Sequence, residues 1–132
     1  KGLIMISSPT SSDISNLLQS NEFQDAKNKV LKWKKVFDDR YYMSVQRTGR
    51  SFDEILLNLV IDLGVDIEVP IVATNDVQFL NKTDYEAHEA RICIAEGGLL
   101  DDARRVKNFS DEQYLKNSED MTMLFEDCPK LI

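Results

Sequence analysis

Metal-site chemistry is short of material in this chain. Its 132 residues hold one histidine, His88, and two cysteines, Cys93 and Cys128. A structural zinc site draws four closely spaced His, Cys or carboxylate ligands, and no C-x-x-C spacing is present. The cysteines lie far apart within helical patterns and read as reduced packing residues of an intracellular protein. Basic charge is scarce too, with a net charge of −7. Phosphate neutralisation supplies much of the affinity of a nucleic-acid surface. A direct DNA-binding module is therefore disfavoured, and no aromatic–basic stripe offsets the charge. The run Lys27, Lys29, Lys32, Lys34, Lys35 is the local exception and reads as a solvated helix face. No apolar run nears the ~18 residues of a membrane span. The opening KGLIMISSPTSSD is too short in its apolar part for a signal peptide. It reads as a buried strand, so the chain is expected to be part of a longer, cytoplasmic protein with no membrane contact.

What is present is alternation. GLIMIS (2–7) suggests a buried strand followed by a Ser/Pro/Thr loop. Asn21 and Gln24 form a capping pair before Phe23, Ala26, Val30, Trp33 and Phe37, which recur at helical spacing and predict a helix over 21–38. YYMSVQ (41–46) reads as a second strand. Ser51 and Glu54 make a capping box for a helix over 51–64, with Ile55, Leu56, Leu59, Val60 and Leu63 as its stripe and Gly64 as its end. VPIVA (69–73) is a third strand. Thr83 and Glu86 open a further helix over 83–96, stopped by Gly97-Gly98. Strand-helix alternation argues for parallel βαβ units. Beyond this the chain turns polar. Ser110 with Gln113 predicts one short helix, and Ser118 another, carrying Met121, Leu124, Phe125 and Cys128 on one face and ended by Pro129.

Functional groups in such folds gather at the C-terminal ends of the strands. Asp76 there is a candidate hard ligand and Asn75 a candidate orienting group, although turn chemistry is the commoner reason for an Asn-Asp pair in a loop. Arg47 and Arg50 flank Thr48-Gly49 and suit a phosphate or a partner's carboxylate, or plain loop surface. Asp84 and His88 stand one helical turn apart. They form either an acid–base or metal pair, or a histidine whose ring N–H is satisfied by the carboxylate.

GLIMIS, RYYMSVQRTGR, VPIVATNDVQFL, DYEAHEARICIAEGGLLDD and YLKNSEDMTMLFEDCPKLI occur in this order. Together they resemble the second half of the PHP (polymerase and histidinol phosphatase) domain of bacterial replicative DNA polymerase III alpha subunits. The resemblance implies an α/β fold: part of a distorted β/α barrel with parallel strands over 1–98, then a short helical tail, 99–132, leading toward the polymerase palm. Intact members hold a metal cluster and act as 3′–5′ exonucleases or phosphoesterases. Two ligand positions fall within this chain. One is a cysteine in a GLIxxSGCL pattern, where Pro9 stands; the other is the Asp-x-His of ATNDxHF, here Asp76 and Gln78. Ser44 also replaces a glutamate common in the family. Proline has no side-chain donor atom, and a glutamine carbonyl is a weaker ligand than imidazole for a transition-type metal. The resemblance therefore implies a degenerate site with no metal, no catalytic residue and no cofactor in this segment, the parent polymerase using Mg²⁺ elsewhere. Implied partners are the rest of the alpha subunit and the proofreading exonuclease subunit, with DNA and deoxynucleotides bound by other domains. The competing expectation is a metal-dependent phosphoesterase with residual activity through Asp76.

Overall fold

The computed structural model of the chain describes residues 2–132. Three short strands, β1 (Met5–Ser7), β2 (Tyr41–Val45) and β3 (Ile71–Ala73), form one sheet in the order β1-β2-β3. Both pairings are parallel: Met5 lies opposite Tyr41, and Met43 opposite Ile71. The expected parallel α/β core is present. β1 is shorter than its apolar run, because β2 begins at Tyr41 and offers Leu3 and Ile4 no partner; both remain exposed.

Parallel neighbours need crossover connections. The first crossover uses two helices, α1 (Asp13–Gln19) and α2 (Phe23–Phe37). The residue pattern gave no helix over α1. Its capping box is S-x-x-S: the Ser15 N–H donates to Ser12 Oγ, and the Ser12 N–H donates to Ser15 Oγ, each at 3.1 Å. The commoner box carries Glu or Gln at its last position, so this signal was missed. Asn21 does not cap α2 as expected. It takes a left-handed φ of 58°, which asparagine tolerates, and turns the chain between the helices. Glu22 holds the cap position without a side-chain bond.

α3 (Asp53–Asp66) departs from expectation at both ends. The Ser51–Glu54 box does not form, because Glu54 is bound to Arg47 instead and the helix starts at Asp53. Gly64 does not end the helix but lies buried inside it. A Cβ there would sit 2.6 Å from Ile71 Cδ1, so glycine lets β3 approach the helix. Leu57, outside the expected stripe, is buried, whereas Ile55 is exposed. α4 (Tyr85–Glu96) follows a 3-10 turn whose capping box is Asn81 with Asp84, replacing the expected Thr83–Glu86 pair. Gly97 ends α4 in the left-handed region, φ 69°, as predicted.

The tail holds one α-helix among the described residues, α5 (Ser118–Leu124). It begins at Ser118 as expected, and Asn117 with Asp120 caps it. Ser110 to Gln113 forms a turn and no helix. Pro129 begins a short 3-10 turn after α5 has ended. Phe125 is fully buried in a core built from Leu18, Val30, Met43, Val60 and Leu63, and Met121 and Leu124 pack beside it. Each such buried aliphatic or aromatic side chain contributes about 1.5–3 kcal/mol by leaving water.

Candidate functional site

Parallel strands in one sheet put their C-terminal ends on the same side. The loops after β1, β2 and β3 therefore meet, and they enclose a cleft of about 250 Å³ lined by Pro9, Ser44, Gln46, Thr74 and Asp76, among others. Pro9 and Asp76 both line this cleft. Gln78 reaches it through Asp76, donating from Nε2 to Oδ1 at 2.9 Å. The other oxygen, Oδ2, accepts from Gln113 Nε2 at 2.9 Å, and the Arg50 guanidinium lies 3.9 Å away. Asp76 is thus surrounded by N–H donors and one cation. That setting does not fit a metal ion. The amide nitrogens present no lone pair, the Pro9 side chain has no donor atom, and no group of three or more His, Cys, Asp or Glu is assembled among the described residues. Ser44 donates to the Ser7 carbonyl at 2.5 Å, stitching β2 to β1 beneath the cleft.

Arg47 and Arg50 part company. Arg47 is a hub within the chain. Its Nε and Nη2 donate to Glu54 at 2.8 and 3.2 Å, and Nη1 and Nη2 donate to Asp127 at 2.6 and 2.8 Å. Nη1 also donates to the Leu124 carbonyl at 2.8 Å, and the guanidinium lies 5.0 Å from the Phe125 ring centre. These carboxylates push the Arg47 pKa up, Asp127 most of all, and Arg47 in turn holds Asp127 down at about 2. Arg50 is less committed: its nearest carboxylates are Asp53 at 3.5 Å and Asp76 at 3.9 Å. Asp53 itself accepts from the Thr48 N–H and hydroxyl at 2.6 and 2.9 Å, which shapes the loop presenting both arginines.

Asp84 and His88 do not pair. Asp84 is taken by the Asn81 N–H at 2.9 Å. His88 is buried with neither ring nitrogen hydrogen-bonded. It packs 5.4 Å from the Phe79 ring and edge-on to Phe109 at 4.8 Å. Desolvation, reinforced by Arg91, lowers its pKa, so the neutral ring is favoured. The helical spacing was real, but the aromatic neighbours turn the imidazole into core.

Sequence reasoning missed Gln113 as a mouth residue, whereas Asn75, expected as an orienting group, does hold a backbone group there. Gln113 was read as a cap partner, yet it bonds Asp76; Asn75 donates from Nδ2 to the Tyr114 carbonyl at 2.6 Å. No spacing rule announces a glutamine that reaches back 37 residues.

No family model matches the chain. Curated relatives do. The DNA polymerase III subunit alpha of Pseudomonas fluorescens is 44% identical over 132 residues, 100% of this chain and 11% of that protein. The Pseudomonas aeruginosa protein of the same name is 42% identical over the same span, and that of Escherichia coli strain K12 is 36% identical. The chain spans 11% of the length of these relatives. Matched from end to end at this level, the chain belongs, as a segment, to the DNA polymerase III subunit alpha family.

Proposed function

We propose that this segment is the second half of a PHP barrel and its connector, serving the alpha subunit as scaffold and docking platform rather than as a catalyst. The observation that carries the reading is Asp76. Both its oxygens accept from amide donors, and Pro9 faces it across the cleft. One carboxylate without nearby ligands is poor support for the rival phosphoesterase reading. In this account the complete subunit is a DNA-directed DNA polymerase. Its Mg²⁺, DNA and deoxynucleotides are bound by other domains. The loop of Arg47 and Arg50 faces the proofreading exonuclease subunit, with Arg50, loosely paired to Asp53 and Asp76, exchanging them for a partner's carboxylate and Arg47 bracing the loop from behind.

Binding of the purified exonuclease subunit to the full-length alpha subunit tests the docking. Arg50→Glu is expected to weaken it about tenfold, the size of one charge-assisted contact. Undiminished binding by this variant removes Arg50 from the interface. Calorimetric titration with Zn²⁺ or Mn²⁺ tests the other half. No tight site is expected at Asp76; stoichiometric metal retained through dialysis, and lost on Asp76→Asn, overturns the degenerate-site reading.

A further inference from the structure

Gln113 is fully buried in a segment with no helix or strand of its own. Each of its polar groups has a partner. Its carbonyl accepts from the Gln78 N–H at 2.8 Å, and its own N–H donates to the Ser110 carbonyl at 3.4 Å. Oε1 accepts from the Ser110 N–H at 2.9 Å. Nε2 donates to the Asp76 carbonyl at 3.2 Å and to Asp76 Oδ2 at 2.9 Å. Reversing the amide would set oxygen against carboxylate and NH₂ against N–H, so the donor pattern fixes its orientation.

The same two stretches are joined on either side. Asn75 Nδ2 holds the Tyr114 carbonyl, the Leu115 N–H donates to the Phe79 carbonyl at 3.0 Å, and Phe79 pairs with Tyr114 as a parallel bridge. The Ser110 hydroxyl donates to the Thr48 carbonyl. Residues 110–115 therefore form a strap across the loops that leave β2 and β3. Beneath it lies the carboxylate whose surroundings do not fit a metal.

We propose that Asp76 closes this strap as a latch. Its carboxylate holds Gln113, and that bond fixes the direction in which the chain leaves the sheet mouth toward α5. A buried amide that loses its acceptor keeps its desolvation cost, so the closed arrangement is strongly favoured over a half-open one. The latch stands whether or not an exonuclease docks nearby.

Hydrogen–deuterium exchange on the full-length protein, read on peptides covering 74–80 and 110–117, tests it. Gln113→Ala is expected to lower protection of the Gln78 and Leu115 amides by about tenfold or more. Amides of β2 should be unaffected. Gln113→Glu places a second carboxylate against Asp76. It should open the strap at neutral pH and reclose it on acidification, once the two carboxyl groups can share a proton. The double variant D76N/Q113E reverses donor and acceptor in the side-chain bond but leaves a carboxylate oxygen against the residue 76 carbonyl, so it should recover part of the protection lost in Q113E at neutral pH. Unchanged protection in Gln113→Ala overturns the latch. So does a double variant no better than Q113E, or a loss of protection extending through β2, which would make Gln113 a core filler.

Discussion

His88 is paired by spacing and unpaired in space. Its nitrogens are buried without partners between Phe79 and Phe109. An unsatisfied buried polar group is costly, so His88→Phe is expected to be neutral or stabilising by up to about 1 kcal/mol if the ring fits. Because its folded pKa is depressed, the unfolded state takes up a proton first. Stability from this residue is full above pH 6.5 and falls as pH drops toward the folded value. Urea unfolding at pH 7.5 and pH 5 should show that slope in the parent and its reduction in the variant. Asp127 carries the same sign lower down. With its pKa held at about 2 by Arg47, against an ordinary 3.8, its contribution is complete above 3.8 and is lost as pH falls toward 2. Arg47→Ala should cost about 1–3 kcal/mol in charge-assisted hydrogen bonds, and should flatten the acid limb of the stability curve. An acid limb unchanged by the substitution would show that the fork contributes nothing net.

The elements were legible in type and blurred at their ends. The alternation of apolar runs identified the strands and most helices, because periodicity follows directly from which face meets the core. Capping boxes misled, since S-x-x-E at Ser51 and T-x-x-E at Thr83 compete with longer-range partners that spacing cannot register: Arg47 claims Glu54, and Asn81–Asp84 nucleates the turn first. Gly64 misled similarly, a close-approach glycine resembling a helix stop. Gly64→Ala gains up to about 1 kcal/mol of helix propensity, but its Cβ would crowd Ile71. A net loss of about 1–2 kcal/mol is expected from overpacking. Shortening the neighbour should relieve it, so Gly64→Ala with Ile71→Val should unfold at a higher denaturant midpoint than Gly64→Ala alone. If the second substitution brings no recovery, the contact is not what selects glycine.

At the scale of the molecule, the tail is part of the core. Phe125 is fully buried beside Met121 and Leu124. Losing a buried phenylalanine costs about 3–5 kcal/mol, a large fraction of the 5–15 kcal/mol that holds a typical domain together. A chain lacking 110–132 should self-associate or lose cooperative unfolding, as read by sedimentation and denaturant titration. A cooperatively folding monomer without those residues contradicts the assignment. Met121, Leu124 and Phe125 were visible in the sequence because they are apolar and periodic; Cys128, expected on the same helical face, lies beyond the end of α5 and outside the core cluster. The Asp76 mouth was half visible: Asp76 and Asn75 stood out at a strand end, Pro9 and Gln78 only through the family resemblance, whereas Gln113 belongs to a polar network, and polar networks leave no periodic trace.

Synthesis gives the Arg47 hub a schedule. Two of its partners, Leu124 and Asp127, lie 77 and 80 residues downstream. At 5–20 residues per second a ribosome takes on the order of ten seconds to cover that distance. Through that interval Arg47 has only Glu54 to hold, and the seat of Phe125 stands empty. The nascent chain thus spends seconds with its sheet and first three helices made and the Phe125 anchor still to come. That is a window in which a chaperone would find apolar surface that the finished protein never shows.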